Sequence, residues 1–315
     1  MQTYIDRGGE LVYQPPFVSD DVEYYGFILD ADKIQLQELC DRYLNAAIGS
    51  ARRFVPAGGF VLLACCNLPS LRSIAPPHSN FGRFVEREVA FWVLVIDKVK
   101  QRLFWFIPYI FVDNTFAMAM GRELYGFPKS MGTIGIPPSP EEAADFWLET
   151  LVLKKHSSLS KAAVLRLVQV RRAEAADLYS GPVGTWNELG GMVREIVTFL
   201  DNELDLFEDI RLLIRSMNDL LHLRIPMLFL KQFRDVVQPL KASYQAIVET
   251  TAFSSRVHEG RILGSNYDVL VERCDSHPIC ADFGMPAAGP LRPKISFYVN
   301  FDFQIGLGTV IPPKA

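Results

Sequence analysis

Residues 84–112, FVEREVAFWVLVIDKVKQRLFWFIPYIFV, hold two aromatic and β-branched runs, Phe84–Asp97 and Arg102–Val112, on either side of a short polar connection. Runs of this kind, separated by turn signals, read as antiparallel strands. A third such segment spans Phe146–Leu153. Upstream, Val22–Leu29 (VEYYGFIL) reads as a strand, and Asp32–Ala47 carries Ile34, Leu36, Leu39, Cys40, Tyr43 and Leu44 near helical spacing. Gly58-Gly59 precedes the apolar run FVLLACC, and residues 69–82 (PSLRSIAPPHSNFG) read as a turn-rich connection. After Pro226 the strand pattern returns in MLFLKQF (227–233), SYQAIVETTAF (243–253), RILGSNYDVLVE (261–272) and KISFYVNFDFQIGLGTVI (294–311). Residues 187–222 differ in kind: apolar residues from Leu189 to Leu221 keep three-four spacing over roughly ten helical turns.

The expectation is therefore an α+β chain, mainly antiparallel sheet, in a single domain over 1–315 with a helical insertion at 187–222. A regular βαβ order is excluded, and with it the usual nucleotide-binding sheets. Gly-x-Gly-x-x-Gly, the phosphate-binding Gly-x-x-x-x-Gly-Lys-Ser/Thr and Gly-x-Ser-x-Gly motifs do not occur. With 49% hydrophobic and 22% charged residues, the 315-residue chain can bury a large core. Its net charge of −4 and lack of a basic run argue against nucleic acid as a partner. The N-terminal sequence lacks the order of a signal peptide, and the longest apolar run, Leu103–Val112, is too short to span a bilayer. Five cysteines (Cys40, Cys65, Cys66, Cys274, Cys280) at irregular spacing suit free thiols in a reducing compartment. A cytoplasmic protein with no membrane partner is expected.

The chemistry-bearing stretch is Gly121-Arg122-Glu123-Leu124-Tyr125-Gly126-Phe127-Pro128-Lys129, where a short helical pattern meets a Gly-Phe-Pro break and then a lysine. This stretch resembles the signature of the acetoacetate decarboxylase superfamily, in which Gly-Arg-Glu leads through a proline to an imine-forming lysine. The resemblance implies that Lys129 is that lysine, on a cone-shaped antiparallel barrel with flanking helices. It extends weakly over most of the chain outside the helical block. Glu86, in FVEREVAF, falls where the family places a carboxylate facing the lysine, and Glu88 lies on the same strand face. Val257-His258-Glu259 and Met227-Leu228 match stretches of the family's second half and speak to fold more than chemistry.

A lysine with its ordinary pKa near ~10.4 is ammonium at neutral pH, so nucleophilic attack requires burial or a neighbouring cation. Tyr125, Phe127, Met118, Met120 and Met131 are candidates for apolar surroundings. The family decarboxylase has a second lysine directly after the first; here that position is Ser130. Its arginine near the first strand falls at Val22, and its other pocket glutamate near Val61 or Leu62. The resemblance thus implies an imine lysine, Lys129, with Glu86 as proton-transfer partner, and Glu88, Tyr125, Phe127 and Ser130 as substrate-binding candidates. A β-keto acid decarboxylase follows, with an imine-dependent aldolase or dehydratase acting on pyruvate-like substrates as the alternative. From another class, a non-catalytic pocket for an apolar ligand fits the same fold. No cofactor or metal is needed for imine chemistry. Family members are oligomers, which implies a homo-oligomer, with the helical block as subunit contact or lid.

Rival constellations are weaker. Cys274, His277 and Cys280 are spaced C-x2-H-x2-C, which supplies only three zinc ligands in a Pro-containing loop and suits buried thiols. Asp201, Asp205 and Glu208 share a helical face and read as solvated. Cys65-Cys66 sits in an apolar strand, where cysteine behaves as a small hydrophobe. His78 and His156 lack a partner at diagnostic spacing.

Overall fold

The computed structural model describes residues 3–5, 12–49, 52–141, 145–173, 224–263, 267–286 and 288–311. The helical block expected at 187–222, with its acidic face, lies outside the described residues. The described residues form thirteen strands: β1 (Phe17–Asp30), β2 (Phe54–Pro56), β3 (Phe60–Ser73), β4 (Phe84–Asp97), β5 (Arg102–Val112), β6 (Lys129–Gly135), β7 (Asp145–Val152), β8 (Ala163–Arg172), β9 (Arg224–Arg234), β10 (Ala242–Ile262), β11 (Tyr267–Val271), β12 (Ile295–Ile305) and β13 (Thr309–Ile311). Among these residues no helix is long and apolar enough to cross a membrane.

The order β4-β5-β9-β10-β12-β1-β3 returns to β4 and closes a ring. Every pairing in the ring is antiparallel except β5·β9, which is parallel through Trp105↔Met227 and Phe106↔Leu228. The far end of β5 pairs in parallel with β6 instead, and β6 leads into an antiparallel sheet β6-β7-β8-β11. Both faces of the ring strands are covered, which explains their near-continuous apolar runs. On one face, Tyr25, Phe27, Leu29, Leu63, Cys65, Phe91 and Phe111 pack with Phe146, Leu148 and Val170 of the second sheet. On the other, Val22, Ile28, Leu62, Cys66, Ala90, Trp92, Ile110, Met227 and Phe297 fill the inside of the ring.

Among the described residues, helical structure is confined to short pieces. The first, α1 (Lys33–Cys40), starts where the Asp32 side chain accepts from the N–H groups of Ile34 and Gln35, and continues through a π turn, Asp41–Asn45, into α2 (Ala46–Ile48). It buries Leu36, Leu39 and Leu44 against the outer face of the ring. Asn114 caps α3 (Thr115–Met120) in the same way, and α4 (Ile279–Asp282) follows β11.

The structure corrects several expectations. Residues 69–73, read as turn, continue β3, because Pro69 lies in the register shift between Leu68 and Leu71, where its missing N–H breaks no ladder. Residues 261–272 are not one strand: Ile262 ends β10 and Tyr267 begins β11 in the other sheet. The sequence reading passed over β8 altogether.

One buried charge network ties the ring together away from Glu86 and Glu88. Arg52, 6% exposed, pairs with the fully buried Asp97 and lies over the rings of Phe54 and Phe104, at 5.2 and 5.6 Å from their centroids. Glu249 of β10 joins from 3.5 Å and also binds Arg102 at 3.0 Å. Asp97→Asn keeps an acceptor for the Val99 and Lys100 N–H groups but removes the guanidinium's principal counter-charge. We expect a loss of about 3–5 kcal/mol in urea unfolding, measured against wild type.

Candidate active site

The loop that delivers Lys129 is shaped by two glycines. After α3 the chain forms a π turn, Gly121–Tyr125, and reverses at Gly126, whose φ of +86° is the left-handed conformation that glycine adopts freely. A Cβ on Gly126 would lie 2.5 Å from the Cα of Lys231, so the backbones of loop and β9 meet there. The N–H groups of Gly126 and Phe127 both donate to the Gly121 carbonyl at 3.0 Å, and Pro128 then forces extended geometry into β6. A Cβ on Gly121 would sit 2.7 Å from Lys129 Cδ, so this glycine leaves the room through which the lysine passes. The Arg122 guanidinium fastens the turn by donating to the Lys129 carbonyl at 3.0 Å.

Lys129 is the first residue of β6, beside Ile110 of β5, and is 7% exposed. Its Nζ donates to Glu86 Oε1 at 2.6 Å and lies 5.3 Å from the centroid of the Phe127 ring. Glu86 is 1% exposed, so the pair is buried. Two residues along β4, Glu88 turns to the same face. Strand register sets Tyr24, Cys66 and Glu88 side by side across β1, β3 and β4. All line one cavity of about 100 Å³ inside the ring, with Val22, Trp92, Ala117, Met120, Tyr125 and Phe127 among its walls. The Tyr125 hydroxyl donates to the Gly306 carbonyl at 2.8 Å, which holds that wall in place.

A sequence model of the family acetoacetate decarboxylase (ADC) matches residues 50–149, the segment that carries Glu86, Glu88 and Lys129. Acetoacetate decarboxylase from Legionella pneumophila is 14% identical and superposes with a TM-score of 0.57, over 94% of this chain and 87% of that one. The fold is that of the acetoacetate decarboxylase superfamily. An acetoacetate decarboxylase-like enzyme from Sphingomonas wittichii is 15% identical, with a TM-score of 0.57 over 96% of each chain. The enduracididine biosynthesis enzyme MppR is 13% identical, with a TM-score of 0.58 over 98% of this chain and 92% of that one. No curated protein sequence matches the chain.

Within this acetoacetate decarboxylase-like fold, the structure brings together five of the six expected site residues: Lys129, Glu86, Glu88, Tyr125 and Phe127. Ser130 is not among the lining residues, because one step along β6 turns it to the opposite face. Of the candidate methionines, Met120 lines the cavity, whereas Met131 is 36% exposed and Met118 is not among the lining residues. Val22 does line it, but the β3 residues facing the acids are Cys66, opposite Glu88, and Leu68, opposite Glu86, not Val61 or Leu62. Tyr24, Cys66 and Trp92 were not singled out from sequence, although period-two alternation along β1, starting from Val22, already places Tyr24 on this face. His258, from the Val-His-Glu match, binds Asp302 at 2.8 Å and approaches Asp21, a contact among β1, β10 and β12. Cys274 comes within 4.0 Å of His277, while Cys280 turns to the Val271 carbonyl at 3.9 Å.

The two acids sit in different surroundings. Burial, reinforced by the adjacent Glu86 carboxylate, pushes Glu88 up to about 7 against the pull of Lys129 and the Cys66 thiol. Burial likewise raises the Cys66 thiol and the Tyr24 hydroxyl well above their ordinary ranges. Glu86 is thus the partner of the ammonium, and Glu88 a carboxyl that holds its proton to near neutrality. This has a consequence for stability. Between pH 4.5 and about 7 the unfolded chain ionises Glu88 while the folded chain keeps it protonated, so stability falls as pH rises through that window and levels off above it. Glu88→Gln removes this fall. The variant should match wild type near the low end of the window and be more stable by roughly 3 kcal/mol above it, as read by denaturant melts across pH.

Proposed function

We propose that this chain is a Schiff-base lyase that decarboxylates a β-keto acid through an imine at Lys129. The observation that carries the reading is the buried Lys129–Glu86 pair, 2.6 Å apart, with the proton-retaining Glu88 on the same face of an apolar cavity. Glu86 accepts a proton from the Lys129 ammonium, and the free amine adds to the ketone carbon. Loss of water gives a protonated imine. The bond to the carboxylate carbon then breaks, carbon dioxide leaves, and the electron pair moves into the iminium to form an enamine. Glu88 gives its proton to the enamine carbon and is reprotonated from solvent. Addition of water to the resulting imine releases the ketone and returns the amine to the Glu86 pair. The iminium nitrogen is the electron sink, so the steps call for no further cofactor.

A second outcome passes through an enamine of the same kind, formed when the imine of pyruvate loses a methyl proton to the ionised Glu88 carboxylate instead of losing carbon dioxide. MppR has been seen in complex with pyruvate and with the condensation product of pyruvate and imidazole 4-carboxaldehyde. An enamine at Lys129 that adds to an aldehyde, with Glu88 trading the proton, is an aldol step requiring no different residues. Carbon dioxide release from β-keto acids, compared with condensation of pyruvate and aldehydes, separates the two. Neither product, with no adduct at Lys129, would leave only the apolar-ligand-binding protein.

A further inference from the structure

The cavity's polar and apolar parts are separated along the strands. Tyr24, Cys66 and Glu88 form one transverse row, with Lys129 and Glu86 beside it. Farther along, a second row crosses the ring through Phe17, Ile305, Ala252 and Ile225 of β1, β12, β10 and β9. All four line the same cavity and none carries a polar side-chain atom. Tyr24 and Phe17 lie seven residue steps apart on β1, a distance of roughly 20 Å even with the irregularity between Ser19 and Val22. Ala117 of α3 and Ala252, each 1% exposed, stand where larger side chains would fill this end.

Resting on the imine reading above, we propose that the substrate is a carbonyl compound with an extended apolar arm, an alkyl or aryl chain longer than the methyl group of acetoacetate, running from Lys129 toward the Phe17–Ile305–Ala252–Ile225 row. Burial of each added methylene in that end contributes about fourfold to kcat/KM until the arm meets the row. Among the described lining residues the only cation is Lys129, so the arm's far end carries no anionic group.

The test is a homologous series of β-keto acids from acetoacetate through propyl, pentyl and heptyl ketones, followed by kcat/KM and by borohydride trapping. The expected result is a rise of about fourfold per methylene before a plateau or drop. Ala117→Leu and Ala252→Val, each checked for a native melting transition, should compress the ratio of long-arm to short-arm kcat/KM. Binding of the corresponding methyl ketones to Lys129→Ala, by calorimetry, measures the arm preference without any imine. A flat or falling series, with imine still trapped, overturns the arm while leaving the lyase reading in place. Absence of trapping with every acid, alongside chain-length-dependent ketone binding, overturns the lyase reading and leaves the arm. Binding indifferent to chain length overturns the arm in either case.

Discussion

Glu86→Gln should lower kcat by about 10²- to 10⁴-fold, the range expected when a positioned proton-transfer group is lost. Gln preserves the shape of the side chain and can still accept a hydrogen bond from Lys129 Nζ, now 2.6 Å from Glu86 Oε1. It cannot take the proton that the ammonium must lose before nitrogen attacks carbon. The loss should therefore appear in kcat more than in KM, and pre-steady-state trapping should show slow imine formation rather than slow product release. An unchanged kcat would mean that Glu86 serves only as a counter-charge.

Lys129→Ala should abolish turnover, by roughly 10⁴-fold or more, the scale seen when a covalent nucleophile is removed. It should also cost stability, because Glu86, 1% exposed, loses the cation that compensates its burial. Breaking one side of such a pair costs about 3–5 kcal/mol when the remaining group keeps its charge. The double variant Lys129→Met with Glu86→Gln removes both charges and should recover most of that stability while remaining inactive. Recovery of activity in any variant lacking the lysine would place the nucleophile elsewhere.

How much of this was legible in the sequence depends on which physical signal each feature leaves. Strands β4 and β5 were read at their observed bounds, because aromatic and β-branched runs end at the turn around Asp97. The lysine was legible through the resemblance of Gly121–Lys129 to the superfamily signature; the Gly-Phe-Pro break alone marked only a chain reversal, at which Gly126 takes the left-handed conformation. Ring closure was expected only through the resemblance to the family's cone-shaped barrel: the parallel contacts of β5 with β6 and β9 depend on connections far along the chain, and local periodicity is silent about pairing partners. β8 was missed because Arg166, Gln169 and Arg171 interrupt its apolar residues, although Leu167, Val168 and Val170 are buried. Glu86 and Glu88 look alike in FVEREVAF; the resemblance pointed to Glu86 as the acid facing the lysine, and the structure sets Lys129 Nζ on Glu86 and the Cys66 thiol beside Glu88.

The same separation shapes the expected pH response. On the proposed mechanism the enamine carbon takes its proton from Glu88, which holds that proton up to about 7, so turnover should decline as pH rises past that point. The two acids, on that proposed mechanism, divide the labour that a lysine nucleophile requires, one receiving a proton at nitrogen and the other supplying one at carbon.

Borohydride reduction in the presence of a β-keto acid, followed by peptide mass analysis, tests the central claim most directly. The account predicts a stable mass increment, equal to the reduced adduct of the decarboxylated ketone, on the peptide that contains Lys129 and its absence in Lys129→Ala. An adduct on any other lysine, or no adduct with any carbonyl compound, would contradict it.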